Sequence, residues 1–204
     1  MTIATAASDS WRKVPRLADA HVTLEALAQD HASGLAAAVA DGDLWRLWYT
    51  HVPTVDSVGD YIDEALAMRD AGAAMPFVVR DADGVIVGST RYCRMEPAHR
   101  RLEIGYTWYA KRVWGTALNP AAKRLLLAHA FEQMGCIAVE FRTHWHNHRS
   151  RAAIARLGAK QDGVLRNHMI LADGIVRDTV VFSILDSEWP AVRRGLDMRL
   201  GGDR

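Results

Sequence analysis

Hydrophobic and polar positions alternate over 21–27 (HVTLEAL), the period of a strand. Residues 30–41 are Ala-rich and suit a helix. Val55, Val58, Ile62, Ala65 and Leu66 fall near helical spacing across 54–71, with Thr54 as a cap and Gly72 past the end. A short apolar strand at 77–80, the turn Asp81-Ala82-Asp83-Gly84 and a strand at 85–92 make a hairpin. A strand at 101–109, a helix at about 119–134, a strand at 136–143 and a short helix at 149–157 follow. The last hairpin joins 160–171 to 175–185. The order is β-α-α-β-β-β-α-β-α-β-β. It lacks the strict alternation of a doubly wound parallel sheet and predicts a mixed, mostly antiparallel sheet of about seven strands, with one β-α-β crossover and helices on both faces.

Composition changes this picture little. The chain has 204 residues, half of them hydrophobic, enough for one core in one domain. Residues 1–16 read as a disordered tail, 17–186 as the domain and 187–204 as a C-terminal extension. A formal charge of +1 gives no strong nucleic-acid signal. Cys93 and Cys136 form no CxxC and read as free thiols. The segment MTIATAASDSWRK has no apolar core of signal-peptide length, and no run approaches a membrane span, so a cytoplasmic protein is expected.

The junction 112–120 (RVWGTALNP) places Gly, Thr, Asn and Pro between a strand and a helix. Asn119 can cap that helix, and Pro120 suits its first turn. Gly115 permits a sharp bend. The junction is either a capped helix start or a set of amides able to hold an anion. It matches neither GxxxxGK[ST] nor GxGxxG.

Arg112-x-x-Gly115-x-Ala117 resembles the Q/R-x-x-G-x-G/A signature of the GCN5-related N-acetyltransferases (GNAT), and it falls at the matching place in the element order. Leu102-Glu103-Ile104-Gly105-Tyr106 with Trp114-Gly115 is similar to the RimJ/RimL-type branch. So are Asn147-His148-Arg149-Ser150, Leu157-Gly158-Ala159 and Gly163-Val164-Leu165-Arg166. The resemblance covers roughly 17–186. Two departures stand out: Ala117 replaces a second glycine, and Pro120 removes one amide.

The resemblance implies an enzyme that moves the acetyl group of acetyl-CoA directly to a primary amine, of a protein, a peptide or a small molecule. No metal is implied. Amides of Trp114, Gly115, Thr116, Ala117, Leu118 and Asn119 would hold the pyrophosphate, with Arg112 or Lys111 adding charge. A backbone N–H near Trp108 or Tyr109 would face the thioester oxygen. Glu103 is the candidate base, or alternatively the partner of Arg91 or Arg101. Some relatives use a glutamate near the segment 166–169, which here offers only His168. Ser150 would donate to the CoA sulfur and Asn147 would bond the pantetheine arm; both also suit helix capping. Arg149, with Arg151 and Arg156, would meet the 3′-phosphate. Trp45, Trp48 and Tyr49 would wall the acceptor site. His144 and His146 share a strand face but lack a third ligand, so they read as cleft residues. The different-class alternative is a non-catalytic acyl-CoA-binding module. Homodimers are common among relatives, but no interface follows from the residues.

Overall fold

The computed structural model describes residues 9–171 and 173–201. Its strands are β1 (Leu17–Ala18), β2 (Val22–Ala26), β3 (Ala74–Asp81), β4 (Ile86–Glu96), β5 (Arg101–Tyr109), β6 (Ala138–His144), β7 (Lys160–Ile170) and β8 (Val176–Leu185). Its α-helices are α1 (Ala32–Ala40), α2 (Val58–Asp70), α3 (Leu118–Ala128), α4 (His148–Arg156) and α5 (Trp189–Arg199). One sheet orders the strands β1-β2-β3-β4-β5-β6-β8-β7. Every pairing is antiparallel except β5 with β6. The eighth strand, beyond the seven expected, is β1. Its two residues pair with Thr23 and Leu24 and are too short to show a period.

Successive residues of β4 face opposite helices, as strand alternation requires. Ser89 and Arg91 face α2: the Tyr61 hydroxyl donates to Ser89 Oγ at 3.1 Å, and Arg91 Nη1 lies 3.3 Å from Met68 Sδ. Thr90 and Tyr92 face α3: Tyr92 donates to the Leu126 carbonyl at 2.6 Å. The sheet is therefore covered on both sides, as the element order predicts. Leu126 and Leu127 are fully buried. Burying a side chain of this size contributes roughly 1.5–3 kcal/mol.

Part of the expected N-terminal tail is packed against the domain. Residues 1–8 of the expected tail lie outside the described residues. Within 9–16, Trp11 is buried, and its indole N–H donates to the Met134 carbonyl at 3.1 Å. An apolar ring with one polar atom finds both partners there. The expected C-terminal extension contains α5, which packs on α3. Trp189 donates to Glu132 at 2.9 Å, and Arg124 pairs with Asp197.

Lys123, on α3, is buried between sheet and helix. Its Nζ donates to Thr107 Oγ1 at 2.7 Å. Burial pushes its pKa down from 10.5 to about 7. With no buried carboxylate beside it, the charged form is penalised. The folded state thus gives up this proton before the unfolded state does. The resulting cost is full below pH ~7 and fades as pH climbs toward ~10.5. Lys123→Met is expected to be the more stable protein at pH ~6, and its advantage should shrink by roughly 3 kcal/mol by pH ~9. Urea denaturation at the two pH values checks this; an advantage independent of pH would contradict a buried, titrating lysine.

Candidate active site

Strands β5 and β6 pair over three positions only: Arg101 with Ala138, Leu102 with Val139, and Glu103 with Glu140. Beyond Glu103 they have no shared ladder, so a gap opens between them. A bulge bends β5 at this point. The register with β4 shifts between Ser89–Trp108 and Arg91–Gly105, and Tyr106 takes φ +52°. A left-handed tyrosine needs support, and Arg91 supplies it. The guanidinium of this fully buried arginine sits 4.3 Å from the Tyr106 ring and 4.6 Å from the Tyr61 ring. A desolvated cation over an aromatic face gains about 2 kcal/mol.

Ala110 N–H donates to the Val87 carbonyl at 2.7 Å. Antiparallel alternation then turns Trp108 N–H toward β4, and Thr107 and Tyr109 N–H toward the gap. Of the two positions expected to supply a donor, only Tyr109 faces the right way. Tyr109 also lies six residues beyond Glu103, about 20 Å along the strand. One thioester cannot bond the Tyr109 amide while its attacking amine meets Glu103. The bulge amide of Thr107 is much closer. Trp108 itself is buried against Tyr61, with ring centroids 6.1 Å apart.

The loop leaving β5 forms the far end of the gap. Gly115 has φ +78°, and α3 starts at Leu118 with Ala117 in the cap position. Asn119 is therefore inside the first turn and is not the cap. Thr116 takes over that role: its hydroxyl donates to the Val113 carbonyl at 2.8 Å and accepts from Leu118 N–H at 3.3 Å. Trp114 N–H is used by the Lys111 carbonyl at 3.0 Å. Among the described residues, no hydrogen bond occupies the amides of Gly115, Thr116, Ala117 or Asn119. The expected six donors are thus reduced to four, at a positive helix end.

Arg112 departs further from expectation. Its Nη2 lies 2.8 Å from Asp81, and its amide donates to Asp41 at 2.9 Å. These contacts anchor the loop to the β3–β4 turn and to the end of α1. The cation that flanks the loop is Arg149, whose guanidinium lies 3.3 Å above the Trp114 ring. The Trp114 indole donates to the Tyr109 carbonyl at 2.7 Å and so fixes that platform.

Helix α4 borders the gap from the β6 side. Asn147 caps it, accepting from Ser150 N–H at 3.0 Å. Ser150 is not the cap, and its hydroxyl makes no hydrogen bond within the described residues.

Glu103 is buried on the α2 face. Its Oε1 lies only 2.8 Å from where a Cβ on Gly105 would be, so the carboxylate leans up the strand toward the bulge. Burial pushes its pKa up, against the pull of Arg142 and Arg94. Their Nε atoms lie 3.5 and 3.1 Å from Oε2. Among the described residues that oxygen has no well-aligned hydrogen bond, and the two arginines act on it chiefly through their charge. The expected partners Arg91 and Arg101 are engaged elsewhere: Arg91 between the two tyrosines, Arg101 with Glu140.

Above Glu103 on the same face stand Arg142, His144, Thr179 and Arg177. His168 joins them through Thr179 Oγ1 at 3.0 Å. Burial and nearby arginines hold the pKa values of His144 and His168 below the usual range, so both are neutral near pH 7. Trp48 covers this end, 5.0 Å from the His144 ring and 5.8 Å from His146, with Tyr49 beside it. His144 Nδ1 is taken by the His146 amide at 3.0 Å. A cavity of about 170 Å³ opens between Trp48, Tyr49, Leu171, Asp173 and Arg177. A larger one, about 420 Å³, lies at the opposite end of β5 and β6 around Arg101, Asp162 and Ser183, away from the loop.

A family model described as an acetyltransferase (GNAT) domain matches residues 21–160. YdaF of Bacillus subtilis (strain 168), provisionally named a ribosomal N-acetyltransferase, is 33% identical over 107 residues. That match spans 52% of this chain and 57% of the relative, little more than half its length. A crystal structure of a Thermus thermophilus protein, provisionally titled an acetyltransferase, superposes with TM-score 0.80 at 34% identity. It covers 91% of this chain and 96% of that one. A GCN5-related N-acetyltransferase from Brucella melitensis superposes with TM-score 0.81 at 29% identity, over 91% and 85% of the two chains. The gap between β5 and β6, the loop at the start of α3 and these matches agree: the chain belongs to the GNAT family.

Proposed function

We propose that this protein transfers the acetyl group of acetyl-CoA directly to a primary amine. One observation carries the reading. The gap between β5 and β6 has a buried carboxylate of raised pKa at its closed end and, at its open end, four amides that no hydrogen bond occupies among the described residues. A thioester arm with a pyrophosphate at one end fits that polarity.

Gly115, Thr116, Ala117 and Asn119 amides hold the phosphates, with Arg149 on Trp114 beside them. Tyr109 N–H pairs with the pantetheine arm. Thr107 N–H, at the bulge, donates to the thioester oxygen as negative charge develops on it. Such a donor supplies roughly 3–4 kcal/mol. Glu103 takes the proton of the attacking amine, and the Ser150 hydroxyl donates to the departing sulfur. The amine becomes an amide, CoA leaves as a thiolate that Ser150 hydrogen-bonds and solvent protonates, and Glu103 returns its proton to solvent.

The name of the Bacillus subtilis relative favours a protein α-amine as acceptor, and the aromatic wall of Trp48 and Tyr49 suits a peptide stem. A non-catalytic acyl-CoA module would have no use for a carboxylate with a raised pKa at the reacting end. Calorimetric titration with acetyl-CoA tests the assignment. One site of micromolar affinity is expected; a folded protein that gives no binding heat rejects it.

A further inference from the structure

The acceptor end of the cleft carries more positive than negative charge. Around Glu103 stand the guanidinium groups of Arg94, Arg101, Arg142 and Arg177. They face two buried carboxylates. Glu140 is held by Arg101 and by Arg142, the latter at 2.9 Å, and Glu103 answers Arg94 and the remaining field of Arg142. Arg177 makes no ion pair among the described residues and meets Glu103 only through its longer-range field. Among the described residues, its Nε is buried without a hydrogen-bond partner. Its side chain lines the cavity beneath Trp48 and Tyr49. The other carboxylates nearby form no ion pair with it among the described residues. Asp178 is taken by Arg166 and by the Asn167 amide at 2.8 Å. Asp173, at the exposed rim, accepts from Ile175 N–H at 3.1 Å. The two histidines facing Arg177 are neutral or cationic, never anionic.

A half-buried guanidinium with an idle donor is costly unless something meets it. The cofactor's phosphates are not that partner in the present reading, which places them at the 115–119 loop, beyond Tyr109 and about 20 Å from Glu103 along β5.

We propose that the acceptor is a primary amine bearing a carboxylate or phosphate within a few bonds of the nitrogen, and that Arg177, aided by Arg94, binds this anion in the cavity under Trp48 and Tyr49. The inference rests on the transferase reading for its amine, but the anion site stands on its own residues. It also links recognition to chemistry. An anion placed between the arginines and Glu103 cancels the field that keeps Glu103 ionised. The carboxylate then becomes a stronger base when the correct acceptor is present.

The test reads binding, so it is independent of turnover. Two isosteric pairs are titrated calorimetrically onto the CoA-loaded protein: Ala-Asp-Gly against Ala-Asn-Gly, and free aspartate against asparagine. The peptide pair and the amino-acid pair separate a polypeptide acceptor from a small one. In at least one pair the acidic member should bind about tenfold or more tighter, since a charge-assisted pair is about twice as strong as a neutral one. Arg177→Gln should bring that pair within about twofold, and Arg177→Lys should keep most of the preference. Should Arg177→Gln fail to fold, Arg94→Gln, at an exposed rim position, carries the comparison and should weaken the preference severalfold. Equal binding within both pairs, no binding by any member, or a preference that survives Arg177→Gln overturns the proposal. Failure of the wild type to bind acetyl-CoA would reject the transferase reading separately.

Discussion

Gly115→Trp is expected to lower acetyl-CoA affinity at least ~100-fold, about 2.7 kcal/mol, while the protein stays folded. Two facts set this expectation. Gly115 has φ +78°, a conformation that costs an L-residue about 1–2 kcal/mol. A Cβ added there would meet no atom within 4 Å. The fold therefore tolerates the new side chain, and a bulky ring at the middle of the loop is expected to obstruct the approach of phosphates to its amides. The phosphate cradle is filled, with little damage to the core beneath it. Calorimetry with acetyl-CoA and thermal denaturation, run side by side, separate the two effects. The melting temperature should fall by only a few degrees, since 1 kcal/mol shifts a domain of this size by about 2–4 °C. Wild-type affinity in this variant would move the phosphate site away from the loop.

Glu103→Gln carries the second large effect, an expected loss of about 10²–10⁴ in kcat with little change in acetyl-CoA affinity. The pH dependence gives the more specific signature. The folded pKa of Glu103 is raised above the ordinary carboxylate value, by burial first, against Arg142 and Arg94. Wild-type kcat should rise with pH as this carboxyl ionises, and the Gln variant should lack that limb. Stability points the other way. A carboxyl with a raised folded pKa binds its proton more tightly when folded, so its ionisation subtracts stability as pH rises through the window above the unfolded value. Replacing it with a neutral isostere should leave the melting temperature at pH ~7 unchanged or higher. A purely structural Glu103, held for its arginine pairs, would show the reverse: a lower melting temperature and a kcat within a few fold of wild type.

Much of this architecture is legible from periodicity. The hairpin of 77–80 with 85–92, the strand at 101–109 and the helix at about 119–134 place the single β-α-β crossover, and the crossover places the gap. The motif Arg112-x-x-Gly115-x-Ala117 finds the loop. It misleads about Arg112, because Asp81 and Asp41, which engage it, lie in distant turns. Asn119 is the stronger cap by residue type, yet Thr116 does the capping; its hydroxyl reaches Leu118 N–H from outside the helix. The bulge at Tyr106 is silent in sequence, because a tyrosine gives no sign of a left-handed conformation. Arg91 and Lys123 are charged yet buried, one between aromatic rings and the other on threonine hydroxyls, and their residue types give no sign of it. The arginine surplus is the least legible feature. Arg94, Arg142 and Arg177 come from β4, β6 and β8, and only the sheet order brings them to one carboxylate.

Acetyl transfer itself is tested most directly by a single turnover. Protein in excess of acetyl-CoA is mixed with a pool of primary amines, acidic peptides among them, and CoA and acetylated products are quantified together by mass spectrometry. The expected result is CoA formed in equal amount to one or a few acetylated amines, with both suppressed in Glu103→Gln. Acetyl-CoA that binds the loop yet stays intact in every mixture would contradict the account and leave a module that holds acyl-CoA without using it.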